Sequence, residues 1–306
     1  MMTPENPLGL HGIEFIEFAS TTPEQLESLF RELGFSKLYR HHTLAVDGWS
    51  QNDIHFLVNR EPGSFAARFL EQHGPCVSAM GWRVADAAKA FEEAVKRGAR
   101  PYTGDEAGKA TLDKPAIYGI GDSLIYFVDR WGGAEGNLWT TEFTAHPEPE
   151  QVPNKGFLFI DHLTNNVYKG TLGQWADFYK KVFGFTELRY FDIRGQRTGL
   201  HSFALQSPCK TFCIPINEGT ESKSQIEEYL REYKGPGVQH IALLSEDLLG
   251  SLDAVGGKVP TLDIDASYYA SVFDRVPNVK ESHERIQGHS VLVDGDEEGY
   301  LLQIFT

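Results

Sequence analysis

The stretch FLFIDHLTNNV, residues 157–167, has a counterpart in GIEFIEFAS, residues 12–20; each is an apolar run interrupted by acidic or polar residues. Each precedes a run with the period of an amphipathic helix, TTPEQLESLFRELGF (21–35) or TLGQWADFYKKVFGF (171–185). Both helical runs end at Gly-Phe, where a glycine without a Cβ can take the left-handed conformation that commonly closes a helix. The same order of strand and helix returns in GPCVSAMGWRVADAAKAFEEAVKRGA (74–99) and in GPGVQHIALLSEDLLGSLDAVGG (235–257). Short strand-like runs lie between these blocks: IHFLVN in the first half, and LRYFDI, LHSFAL and TFCIPIN in the second. Each half also holds one linking helix, SFAARFLEQH or SQIEEYLREY. The chain is therefore an internal repeat of two halves, each made of two strand-helix-strands modules. Residues 142–156, EFTAHPEPEQVPNKG, are rich in Pro and polar side chains and read as a linker between a domain of residues 1–141 and one of residues 157–306.

With 306 residues the chain has the length of about two ordinary domains. The balance of 28 Lys and Arg against 43 Asp and Glu gives a net charge of −15 with no basic cluster, which argues against nucleic acid or an anionic membrane as partner. No run approaches the ~20 apolar residues of a membrane span. The opening MMTPENPLGL lacks the basic and apolar regions of a secretory leader, so the expected location is cytoplasmic. Cys76, Cys209 and Cys213 fit a reduced compartment, and nothing near Cys209 and Cys213 completes a zinc set.

Two histidines stand out against the repeat. A lone histidine in an apolar run is commonly a hydrogen-bonded core residue. Aligning the halves places Ile13-Glu14-Phe15 on Ile160-Asp161-His162, and Val77-Ser78-Ala79 on Val238-Gln239-His240. The scaffold thus accepts Phe15 and Ala79 where the second half has His162 and His240. Histidines that the fold itself required would occur in both halves, so this pair points to a site.

The motifs FIDHLTNNVY, YFDIRGQRTGLHS, IPINEG, SQIEEYLREYKGPGVQHIAL and LVDGDEEGYLLQIFT resemble the bacterial 4-hydroxyphenylpyruvate dioxygenase family of the vicinal oxygen chelate superfamily. The resemblance implies an α+β fold of two similar domains, each of paired βαβββ modules forming a cupped, barrel-like mixed sheet of the glyoxalase-like kind. It implies an N-terminal domain without catalytic residues and a C-terminal domain that holds Fe(II) through His162 and His240, with a glutamate as third ligand. Such a facial set leaves positions for substrate and dioxygen. Ser202, Asn217, Gln225, Gln239 and Gln303 match the family's polar positions that orient the keto acid and phenol, and Pro215 and Phe305 match its apolar wall. The implied reaction converts 4-hydroxyphenylpyruvate and dioxygen to homogentisate and carbon dioxide, in tyrosine and phenylalanine catabolism, by a homo-oligomer, dimer or tetramer. Two alternatives share these features: 4-hydroxymandelate synthase, and a non-catalytic relative that binds aromatic acids.

The first half closes with two apolar runs, PAIYGIG and GDSLIYFVDRW, whereas the second closes with one, GYLLQIFT. The family's glutamate ligand lies on a strand aligned with GDSLIYFVDRW, at the position of Tyr126, and a helix covering the pocket follows it. The expectation for these 306 residues alone is an impaired metal site. Asp161, Asp294 and Glu298 are the candidates for a substitute carboxylate.

Overall fold

The computed structural model describes residues 2–104, 108–194, 199–295 and 299–306, with side chains at 189–194 set aside. The first module is β1 (Leu10–Ala19), α1 (Pro23–Glu32), β2 (Ser36–His41), β3 (Val46–Gln51) and β4 (Ile54–Asn59). The linking helix α2 (Phe65–His73) leads to β5 (Cys76–Val84), α3 (Ala87–Lys96), β6 (Ala116–Tyr118) and β7 (Leu124–Val128). A short α4 (Leu138–Thr141) and β8 (Phe143–Glu150) follow. The third module is β9 (Phe157–Val167), α5 (Leu172–Phe183), β10 (Thr186–Arg194), β11 (Gly199–Gln206) and β12 (Cys213–Gly219). After α6 (Gln225–Tyr233), the last module comprises β13 (Gly237–Ser245), α7 (Leu248–Val255), α8 (Ala266–Arg275), α9 (His283–Gly288), β14 (Leu292–Gly295) and β15 (Tyr300–Gln303).

The strands form an eight-stranded sheet of order β6-β7-β5-β1-β4-β3-β2-β8, a five-stranded sheet of order β10-β11-β12-β9-β13, and the hairpin β14-β15. Each large sheet is built about an antiparallel pair of module-opening strands, β1 with β5 and β9 with β13. Within a module the first strand pairs in parallel with the last, as β1 does with β4 and β9 with β12. These are the curved, open sheets of paired βαβββ modules that the repeat implies.

Two elements depart from the sequence reading. The polar segment 142–156 is only partly a connection: residues 143–150 form β8, which pairs with β2 at the rim of the first sheet. Pro147 and Pro149 read as chain breakers, yet an edge strand tolerates prolines because one row of its N–H groups has no partner. In the last module, α8 and α9 occupy the stretch where strands were expected, capped by the side chains of Asp265 and Ser282. The hairpin β14-β15 shares no ladder with β13 among the described residues.

Amphipathic helices cover the outer faces. In α5 the buried Leu172, Ala176, Tyr179 and Phe183 repeat at helical spacing, and Gly184 closes the helix with φ of 80°. Trp82 from β5 is fully buried against Tyr179, Phe183, Phe185 and Phe212, so an indole of the first half is packed into the second. The hairpin and the helices α7 to α9 gather a separate cluster of Leu249, Tyr269, Val272, Val276, Ile286 and Val293.

In the first half the cup is filled. Phe15 is fully buried beside Tyr126 and lies over Gly81, where any side chain would collide with its ring. Replacing it with the histidine of the other half would leave an imidazole buried without a partner. Phe15→His is expected to destabilise the protein by about 2–4 kcal/mol, measured by denaturant unfolding. Beneath it lies Glu17, 1% exposed, whose Oε1 accepts a 2.7 Å hydrogen bond from Ser78 while Oε2 has no partner among the described residues. Burial pushes the Glu17 carboxyl above its ordinary value, an effect offset in part by Thr111, Ser78 and Asn59. A raised carboxyl favours the native state only while protonated, so this contribution is lost as pH rises from the ordinary carboxylate range through the raised value. Glu17→Gln should therefore raise Tm relative to the parent at pH 8 and show little gain at pH 4.5, as read by scanning calorimetry.

Candidate metal centre

Strand alternation sorts the second half's sheet into two faces. Leu163, Ile214, Ile216 and Leu205 point to α5 and the core, while His162, Thr164, Asn166, Cys213, Asn217 and Ser202 share the concave face. Register places them in rungs: Cys213 beside His162 beside Ala242, Thr164 beside His240, and Ser202 beside Asn217 beside Asn166. Neighbouring rungs lie two residues apart, ~7 Å along the strand. Ser202 and Asn166 are buried, and the Asn217 amide donates to Asn166 Oδ1 at 3.5 Å, a long contact.

His162 and His240, 78 residues apart in sequence, meet with their Nε2 atoms 3.3 Å from each other. Each ring is held from behind. Asp161 Oδ2 lies 2.7 Å from His162 Nδ1, and Gln239 Oε1 is hydrogen-bonded to His240 Nδ1. Carboxylate and amide oxygens only accept, so both Nδ1 atoms carry hydrogen, and each ring in its neutral form presents the Nε2 lone pair. Thr164 agrees with this assignment, its hydroxyl lying 3.0 Å from His240 Nε2 as a donor. Burial, reinforced by His162, lowers the His240 pKa to about 4, which keeps that ring neutral at neutral pH.

The donor set fits a metal ion at this point. Two imidazole nitrogens each ~2.1 Å from one divalent metal, near a right angle, stand ~3.0 Å apart, close to the observed separation. Among the described residues no third His, Cys, Asp or Glu joins the pair. Asp161 does not supply it, because its carboxylate faces Nδ1 on the opposite side of the His162 ring. Asp294 is exposed on β14 and accepts from its neighbour Gly295, and Glu298 lies outside the described residues.

The other expected residues divide. Pro215 stands on β12 between Cys213 and Asn217, half-buried, and the Phe305 ring meets His240 edge-on with centroids 5.7 Å apart. Gln239 is exposed rather than buried in its apolar run, because β13 is a sheet edge, and its side chain turns to His240 instead of into the cup. Gln225 is exposed at the first turn of α6, and Gln303 is half-buried on β15 opposite Leu292. No hydrogen bond joins either glutamine to the other candidates among the described residues. Thr164 and Asn166 belong to the concave face and were missed; the alternation His162, Thr164, Asn166 in FIDHLTNN is the signal that marks them.

Comparison with known proteins adds the family. Residues 4–144 match the family model described as hydroxyphenylpyruvate dioxygenase, N-terminal, and residues 159–303 match that of the glyoxalase, bleomycin resistance protein and dioxygenase superfamily. Protein MelA of Shewanella colwelliana is 54% identical over all of this chain and 88% of its own length. The 4-hydroxyphenylpyruvate dioxygenase of Pseudomonas sp. (strain P.J. 874) is 41% identical over 99% of this chain and 86% of its own. Among solved structures, a fusion of a xylose isomerase-like TIM barrel with 4-hydroxyphenylpyruvate dioxygenase superposes with a TM-score of 0.83 at 29% identity, over 99% of this chain and 48% of the fusion. Identity at this level across nearly the whole chain, on a fold of paired βαβββ modules, makes the chain a member of the bacterial 4-hydroxyphenylpyruvate dioxygenase family within the vicinal oxygen chelate superfamily.

Proposed function

We propose that the second-half cup is the active site of an Fe(II)-dependent dioxygenase that converts 4-hydroxyphenylpyruvate and dioxygen to homogentisate and carbon dioxide. The observation that carries this reading is the convergence of His162 and His240 Nε2 at 3.3 Å in a chain of this family. Family membership supports a metal-dependent class of enzyme and an aromatic acid as substrate; the identity of the metal as Fe(II) is part of the proposal. When bound, the ion would accept the carboxylate and keto oxygens of the 2-oxo acid as ligands and activate dioxygen, which the protein's own side chains cannot do.

The chain's residues are read as follows. His162 and His240 hold the metal with neutral imidazoles in a fixed tautomer. Ser202, Asn217 and Asn166 form a polar rung about 7 Å along the strands from the Thr164–His240 rung and about 13 Å from that of His162, towards the far end of a substrate anchored at the histidines. Their hydroxyl and amides suit a phenol or a keto acid without introducing a cation. Pro215 and Phe305 border the ring, and Gln225 and Gln303 would act on substrate from the cup's rim. Two histidines leave a facial site short of one protein donor, so the third must come from a group other than the described His, Cys, Asp and Glu residues. No described helix is long and apolar enough to cross a membrane.

His162→Ala and His240→Ala are expected to abolish Fe(II) binding in anaerobic titration and to reduce turnover below detection, with circular dichroism unchanged. Product analysis by mass spectrometry decides the reaction: homogentisate supports the reading, and 4-hydroxymandelate would replace it with the synthase reaction. Asn217→Ala should raise KM about tenfold, the loss of one substrate hydrogen bond of about 1.4 kcal/mol, with metal affinity unchanged in the same titration.

A further inference from the structure

The pairing of β9 with β13 is interrupted at two places that matter. Ala242 faces His162 and Leu243 faces Ile160, so Asp161 is an extra residue on β9; His240 faces Thr164 and Val238 faces Asn165, so Gln239 is an extra residue on β13. Both are β-bulges, and in each the bulged residue immediately precedes a histidine. A bulge breaks strict alternation and brings two successive side chains towards one face. Without it, Asp161 and Gln239 would point away from the histidines that follow them. With it, Asp161 reaches His162 Nδ1 at 2.7 Å and Gln239 reaches His240 Nδ1.

The first half carries the same two bulges at the aligned positions. Ile13 faces Trp82 and Phe15 faces Gly81, leaving Glu14 extra; Glu17 faces Ala79 and Phe18 faces Val77, leaving Ser78 extra. There the bulged carboxylate serves packing: Glu14 accepts from Arg83 Nε at 2.5 Å and from Trp139 Nε1 at 2.8 Å, and it is 1% exposed. In the second half no arginine or indole engages Asp161 among the described residues. Its side chain keeps 46% of its exposure and its recorded partner is the imidazole. Cys213 lies next to His162 in the ladder, on the strand that flanks β9 opposite β13.

We infer that Asp161 is a positioning residue for His162: the bulge on β9 delivers its carboxylate to Nδ1, which fixes the Nδ1–H tautomer and turns the Nε2 lone pair to the point shared with His240. Gln239 does the same for His240 with a neutral oxygen, so the pair is held by one charged and one uncharged acceptor. The carboxylate makes His162 the stronger donor of the two and adds negative charge beside a site that would take a divalent cation. The inference rests on the reading of His162 and His240 as metal ligands.

The test uses the full chain, metal-free, with 15N-labelled histidine, at pH 7.5. In the parent, the His162 ring should show the Nδ1–H tautomer by long-range 1H–15N correlation, its signal assigned by loss in His162→Ala. Asp161→Ala should move that ring to a mixture rich in Nε2–H and leave His240 unchanged; Asp161→Asn, which keeps an acceptor oxygen, should preserve the tautomer. Calorimetric titration with Co(II) should then show affinity about 10–100-fold weaker for Asp161→Ala, with a smaller loss for Asp161→Asn. A His162 tautomer that is unchanged in Asp161→Ala would overturn the inference, even if Co(II) still requires both histidines. A shifted tautomer in a protein whose parent binds no Co(II) would uphold the role of Asp161 at the ring and sink the metal-centre reading instead.

Discussion

The antiparallel pairing of the strands that open the modules is the constraint from which the rest of the molecule follows. It joins modules into halves, sets the curvature of each cup, and brings the third and fourth module-opening strands so close that residues 78 positions apart share one point in space. The ladder is not regular. Its bulges recur at matched positions in both halves, so irregularity is part of the repeat and not damage to it. The second half uses that irregularity for a polar constellation, and the first uses it for a buried ion pair and an aromatic plug.

Much of this was legible in the sequence. The strand-helix order, the two linking helices, the division into halves and the pair His162 and His240 can all be read from FLFIDHLTNNV, GPGVQHIALLS and their counterparts. What alternation and helical period report is the local segment, and they failed where structure depends on a partner. Residues 143–150 look like a linker because prolines forbid a central strand, and only the rim position of β8 makes them acceptable. Gln239 looks buried because its neighbours are apolar, yet β13 ends a sheet and its side chain stands in solvent. A bulge is a relation between two strands, so the orientation of Asp161 could not be seen in FIDH alone.

The halves are chemically unequal but mechanically joined. Trp82 reaches across to Tyr179, Phe183, Phe185 and Phe212, beneath the helix that backs the five-stranded sheet of the second half. The half that lacks counterparts of His162 and His240 therefore buries part of the floor on which those two residues stand. This gives a physical reason for retaining a domain whose own cup is closed by Phe15 and Tyr126.

The hairpin β14-β15 and helices α7 to α9 stand in contrast, with an apolar cluster of their own and no ladder to β13 among the described residues. Backbone hydrogen bonds of the five-stranded sheet fix the spacing of His162, His240, Ser202 and Asn217, whereas Gln303 is paired with Leu292 within the hairpin and Phe305 accepts from the Leu262 N–H. The candidate residues are therefore held by two separate frames. The separation of the two imidazoles is set by the five-stranded sheet, while Gln303 and Phe305 belong to a smaller unit with its own core, of the kind that can open locally. Exchanges in that satellite core can therefore shift Gln303 and Phe305 without disturbing the ladder that holds the two imidazoles.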